Sequence, residues 1–204
     1  MKKFITKVEF YLIMKRVFII HGWDGYPEEG GFPWLKKELE EKGFQVTVPA
    51  MPQPKHPKIE EWVRFLRKVV RKPDENTFLV GHSIGAQTVL RYLESLSPKV
   101  KVGGVILLAG WINLSEKAFE NAEDFQTARP WLDTPIDWQK IKSHTSNFTA
   151  IFSDNDHFVP LTDSKIFKEK LGAKIVIEKD KAHYSGSDGI TELSIVLKEL
   201  LDFV

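Results

Sequence analysis

The chain has 204 residues, 42% hydrophobic and 28% charged, which suits one folded α/β domain and excludes disordered and collagen-like classes. A formal net charge of +1 supplies no field to draw the chain onto nucleic acid or an anionic membrane, so neither is an expected partner. The absence of cysteine excludes disulfides, thiolate metal sites and a cysteine nucleophile, and leaves the cytoplasm as the default location.

Residues 1–20, MKKFITKVEFYLIMKRVFII, start basic and turn apolar. Lys7, Glu9, Lys15 and Arg16 interrupt that run and no small-residue cleavage site follows, which speaks against an export signal or a membrane span. Met14 is an alternative start. Residues 1–15 then form an N-terminal extension or extra strand on a single domain spanning 1–204.

From there, short apolar runs alternate with amphipathic segments, the rhythm of a parallel sheet covered by helices. Strands are predicted at 17–21, 45–48, 77–80, 102–109, 148–152 and 174–178. Their Val/Ile/Phe runs lack polar alternation, as strands buried on both faces require. Helical stripes follow at Ile59, Trp62, Val63, Leu66, Val69 and Val70, then at Val89, Leu90, Leu93 and Leu96. A third stripe, Leu193, Leu197, Leu200, Leu201 and Val204, docks the C-terminal helix. The expected architecture is a three-layer α/β/α sandwich with about six mostly parallel strands and little or no cap.

Two stretches break the rhythm. PAMPQPKHP, residues 49–57, has four prolines and reads as a stiff loop. Residues 110–147 carry Trp111, Phe125, Trp131 and Trp138; a connection so long is functional or holds short helices, and its aromatics are candidates to roof a pocket.

The chemistry concentrates at Gly81-His82-Ser83-Ile84-Gly85, between a strand and a helix. Two glycines permit a tight turn that exposes Ser83 Oγ, and the Ile84 N–H at the helix start is placed for an oxyanion. After the first strand, HGWDG supplies a second candidate donor, the Trp23 N–H. IFSDNDHFVP, after the fifth strand, offers Asp154 and Asp156. Asp156 is preferred because Asp-x-x-Val-Pro puts it at the turn into the next helix, with Asp154 as a turn or cap residue. Among six histidines, His21 ends a buried strand and reads as a structural or oxyanion-loop residue, and His82 points away from the pocket. His56 and His144 lie in polar loops and read as solvated, and His157 adjoins the acid. His183, in the loop before the last helix, is the natural base. The order Ser83, Asp156, His183, each after a separate strand, fits a serine–histidine–aspartate triad.

These segments, FIIHGWDG, LVGHSIGAQTVLRYL, FSDNDHFVP and AHYSGSDGITELSIVLKEL, resemble the small, essentially cap-less α/β-hydrolases of the serine hydrolase family that includes YdeN-type proteins and retinoblastoma-binding protein nine. The resemblance runs from Arg16 to the end. It implies a serine hydrolase with Ser83, Asp156 and His183 as catalytic residues, and neither cofactor nor metal.

The leading expectation is a carboxylesterase forming an acyl-enzyme on small to medium ester substrates. Trp23, Trp111 and Trp131 suggest an apolar pocket for the acyl group. Amidase and thioesterase activities use the same residues. The alternative from another class is a binding or interaction protein on this scaffold, with vestigial activity.

Overall fold

The computed structural model describes residues 14–204; residues 1–13, and with them most of the anticipated extension, lie outside the described residues. Six strands form one sheet: β1 (Arg16–Ile20), β2 (Gln45–Thr47), β3 (Thr77–His82), β4 (Gly104–Leu108), β5 (Phe148–Ser153) and β6 (Lys174–Glu178). Their order is β2-β1-β3-β4-β5-β6, and every pairing is parallel.

The apolar runs feed two cores by simple alternation. Phe18, Ile20, Leu79, Val105, Leu107, Ala150 and Phe152 enter one, while Val17, Ile19, Phe78, Val80, Ile106, Leu108 and Ile151 enter the other. Helices α1 (Phe32–Glu41) and α7 (Ser194–Leu201) cover the second face. The first face is covered by α2 (Ile59–Val70), α3 (Ile84–Glu94), α4 (Ala122–Asp133), α5 (Trp138–Lys142) and α6 (Asp163–Leu171). Among the described residues no helix is long and apolar enough to cross a membrane.

Two stripes differ from expectation. Helix α3 is buried on every side from Ile84 to Leu93, because it packs against β1, β3, α2 and α5 together. Its polar residues Gln87, Thr88 and Arg91 therefore lie inside the protein, each making internal hydrogen bonds. In the C-terminal segment the buried apolar positions are Leu193, Val196 and Leu200, joined by Glu199, which binds Lys174 and Lys198, and Val204 is exposed. The 110–147 stretch contains a short 3₁₀ turn (Glu116–Ala118) as well as α4 and α5.

This topology positions the site. The helix after β1 lies on one face and the helix after β3 on the other, so the chain diverges at the carboxyl ends of two adjacent strands. Such a switch point opens the crevice where parallel α/β sheets take their ligands.

Candidate active site

Ser83 sits in that crevice with φ 54° and ψ −121°, a conformation that costs an ordinary residue of order 1–3 kcal/mol. Its flanking glycines make the turn possible by their lack of a side chain. A Cβ on Gly81 would come 2.5 Å from the Gly85 carbonyl oxygen, and one on Gly85 would overlap the Ile20 carbonyl of β1. The Ser83 N–H donates to Leu108 O at 2.9 Å, which pins the elbow to β4. Ser83 is only 8% exposed, and its hydroxyl makes no hydrogen bond among the described residues.

The turn after β1 is splinted by the proline-rich loop. Asp24 N–H donates to Pro54 O at 2.8 Å and Trp23 Nε1–H to Lys55 O at 3.0 Å. His21 Nε2 accepts the Met51 N–H at 3.0 Å, so its proton is on Nδ1 and is donated to Gly22 O at 2.9 Å. Burial lowers the His21 pKa, in keeping with that neutral ring. Gly22 packs against the elbow, where an added Cβ would lie 3.4 Å from Ser83 Cβ. Neither the Trp23 nor the Ile84 backbone N–H has an acceptor among the described residues.

The turn after β5 holds the loop after β6 residue by residue. Asp154 Oδ1 accepts the Asp180 N–H at 3.0 Å, Ser153 Oγ the Lys181 N–H at 2.9 Å, and Asn155 Oδ1 the Ala182 N–H at 2.8 Å. Asp156 Oδ2 stands 2.8 Å from His183 Nδ1. Asp156 Oδ1 is in turn fixed by the Phe158 and Val159 N–H groups at 2.9 and 3.1 Å. Four consecutive side chains thus engage four consecutive residues, and Asp156, not Asp154, reaches the histidine. With Nδ1–H directed at a carboxylate, His183 Nε2 is left as the acceptor.

His183 is clamped at both backbone groups as well. Its N–H donates to Asp188 Oδ2 at 3.0 Å, and its carbonyl lies 2.7 Å from His82 Nε2. The same Asp188 oxygen accepts from Ser185 N–H and Oγ–H. Burial works against the Asp188 carboxylate, yet these donors, with His183, hold its pKa below the usual range. Tyr184 OH lies 3.0 Å from Phe152 O and 3.1 Å from Glu178 Oε2, anchoring the next residue.

Two histidines correct the sequence reading. His144 is buried rather than solvated, with Nδ1 2.8 Å from Val100 O. The second is His82. It lines the cavity rather than pointing away, and its ring centroid is 5.1 Å from that of His183. Complete burial, reinforced by nearby His183, pushes its pKa down to about 3. The neutral ring carries its proton on Nε2, toward the His183 carbonyl. No spacing rule pointed to this residue; Asp188 did have a signal, the Ser-x-x-Asp box at 185–188.

Ser83, His183, Trp23 and Trp111 line one cavity of about 370 Å³. A larger open groove of about 720 Å³ between α2 and α3 contains none of them. Trp131 lies elsewhere: it is buried edge-on against Trp62, with Nε1–H donating to Pro57 O at 3.0 Å. Helix α4 turns that tryptophan to the core, and the roof over the cavity comes instead from Leu114, Ala118, Glu120 and Asp124. The roof's start is tied down by buried Asp163, which accepts the Ile112 and Asn113 N–H groups at 2.6 and 2.8 Å. The cavity is consequently more polar than an apolar acyl pocket. Phe119 and Phe125 pair with each other, leaving carboxylates to face inward.

A parallel α/β sheet with a serine elbow at its switch point, beside a carboxylate-bound histidine, defines the α/β-hydrolase class. The chain belongs to the serine hydrolase family, whose sequence model matches residues 17–202. It is 32% identical over 189 residues to YdeN of Bacillus subtilis, covering 93% of this chain and 96% of that one. The crystal structure of YdeN superposes with a TM-score of 0.85 over 93% of this chain and 98% of that one. Serine hydrolase RBBP9 of Rattus norvegicus is 29% identical over 182 residues, 89% of this chain and 87% of its own. A structure from work on carboxylesterases of the thaumarchaeon Nitrososphaera gargenis shares the fold at 15% identity, with a TM-score of 0.68 over 94% and 90% of the two chains.

Proposed function

We propose that this serine hydrolase cleaves carboxylic esters through an acyl-enzyme at Ser83. The observation that carries the reading is the 2.8 Å contact between Asp156 and His183 in the cavity that Ser83 lines. His183 Nε2 takes the Ser83 proton as Oγ attacks the ester carbonyl carbon. The Trp23 and Ile84 N–H groups receive the developing oxyanion, while Asp156 stabilises the imidazolium. Collapse breaks the bond to the alcohol oxygen, which leaves with the His183 proton. Water, deprotonated by His183, then attacks the acyl-enzyme and releases acid and free Ser83. Substrate binding closes the Ser83–His183 link, as catalytic contacts often tighten only in the complex. No residue in this sequence of steps needs a metal or cofactor, and the partner is a small ester-type molecule. Amides and thioesters present the same carbonyl to the same groups; the ester reading is supported by the shared fold of a structure from work on carboxylesterases.

Intact mass after incubation with a fluorophosphonate tests the proposal, with hydrolysis of short p-nitrophenyl esters in parallel. One adduct is expected on the wild type and none on Ser83→Ala, which should also lose at least about 10³-fold in kcat/KM. A folded wild-type protein that takes no adduct would favour a binding scaffold instead.

A further inference from the structure

The cavity wall carries a charge that the protein as a whole does not. Asp24 and Glu29 from the turn after β1, and Glu120 and Asp124 from the roof, line the space occupied by Ser83 and His183. No lysine or arginine lines it, and none of the four carboxylates is in an ion pair with one among the described residues. The chain's net charge is +1, and several surface carboxylates elsewhere are paired, such as Glu40 with Lys36 and Asp133 with Arg129. The negative wall is therefore a local feature assembled from two segments distant in sequence.

Whereas Asp24 and Glu120 are exposed, Glu29 is half-buried. Burial raises its pKa and Asp24 raises it further, against the Gly186 and Tyr26 N–H groups and His183. Such a carboxylate gains from a positive charge brought into the cavity. A second observation points to a ligand in the same place: Ser83 is more than nine-tenths buried as a residue, lines this cavity, and its hydroxyl has no hydrogen-bond partner among the described residues. Among the described residues no group of three or more His, Asp or Glu side chains converges as metal ligands, which favours a diffuse organic cation over a metal ion. Trp23, half-buried at the cavity wall, adds aromatic surface suited to an ammonium group.

We propose that the substrate is a cationic ester, bearing an ammonium-type group that the carboxylates of Asp24, Glu29, Glu120 and Asp124 receive while its carbonyl meets Ser83. This rests on Ser83 being the nucleophile. A cleft of one sign focuses its field and enriches the oppositely charged ligand, by ten-fold or more at low salt. Neutral esters are hydrolysed more slowly, and anionic ones are repelled.

The test compares shape-matched esters on the full chain. In the acyl series these are p-nitrophenyl 4-(trimethylammonio)butanoate, its tert-butyl isostere and the glutarate monoester. In the alcohol series they are acetylcholine and 3,3-dimethylbutyl acetate. The expected result is a kcat/KM at least about ten-fold higher for the cation than for its neutral isostere in one series. That ratio should shrink in high salt. It should also fall toward one in Glu29→Gln and, independently, in Glu120→Gln with Asp124→Asn on the exposed roof. Calorimetric binding of the same cation and isostere to Ser83→Ala gives a readout without catalysis. Equal rates and equal binding for cation and isostere, on an enzyme that still labels at Ser83, would overturn the cation proposal and leave the triad intact. Absence of labelling with preferential binding of the cation would sink the hydrolase reading and keep the cation site.

Discussion

The two edges of the sheet are built by different means. At the carboxyl edge, the chain leaves its strands through left-handed residues that are not glycine: Asp24 after β1, Gln53 after β2, Ser83 after β3, Ala109 after β4, and Asp180, Ala182 and Tyr184 after β6. At the amino edge only Arg71 is so placed among the described residues. There the chain is held by ordinary hydrogen bonds around Arg16, whose guanidinium reaches Lys72 O at 2.6 Å and Thr77 Oγ1 at 2.7 Å. Strain of order 1–3 kcal/mol per residue is thus concentrated at the edge whose turns shape the candidate site. The edge without that duty is relaxed.

The largest test of this contrast lies within the carboxyl edge. Asp156→Asn removes the charge that orients His183, and kcat/KM is expected to fall by about 10³–10⁴-fold. Asp154→Asn keeps an oxygen for the Asp180 N–H and should stay within a few-fold of wild type. Equal losses in the two variants would mean that the turn acts only as a splint and that Asp156 has no separate role.

A stability measurement comes next in size. His82 and His21 ionise near 6.5 when unfolded, and burial lowers both in the folded protein, His82 to about 3. Their neutral forms favour the fold fully above pH 6.5, and that contribution is lost as pH falls toward the folded values. Each histidine is worth at most about 1.4 kcal/mol per pH unit in that window. Denaturant midpoints for wild type and His82→Gln between pH 7 and pH 4 should show a shallower decline in the variant. Parallel declines would show that the buried ring titrates normally.

Much of the fold was legible because each strand is a compact apolar run, and the elbow because Gly81, Ser83 and Gly85 leave few other conformations. What escaped depends on contacts across sequence. The register Ser153↔Glu178 sets residues 153–156 against residues 180–183, and no spacing in the sequence encodes it. His82 was misjudged because its side chain meets a carbonyl 101 residues away. Trp131 failed for a different reason: a tryptophan stripe looks alike whether it faces a ligand or another tryptophan, and Trp62 took it.

At the amino edge, Asp74 Oδ1 accepts from Asn76 N–H at 3.1 Å and Thr77 Oγ1 at 2.9 Å, and lies 3.5 Å from the Arg16 guanidinium. Asp74→Ala should cost about 1–3 kcal/mol in chemical denaturation, since it leaves those donors short of an acceptor. Ester hydrolysis should be unchanged. A fall in kcat/KM without unfolding would break the division between the edges.

The smallest expected effect compares the two edges directly. Ser83 (φ 54°) and Arg71 (φ 61°) occupy the left-handed half of backbone space, which only glycine enters without a steric penalty. Replacing either by glycine relieves strain in the folded state and adds freedom to the unfolded one, so the net gain is about 1 kcal/mol at each. Alanine at position 83 keeps the Cβ and the strain, so Ser83→Ala should match wild-type stability while Ser83→Gly exceeds it. Arg71→Gly should gain comparably and keep full activity, whereas Ser83→Gly gains by discarding the hydroxyl that the strain holds in place. The strain at Arg71 is then incidental to helix termination, and that at Ser83 is retained because a relaxed turn would point Oγ elsewhere. Denaturant midpoints for the three variants decide this. Stability lost rather than gained in Ser83→Gly would mean that packing, not function, keeps a side chain at the elbow.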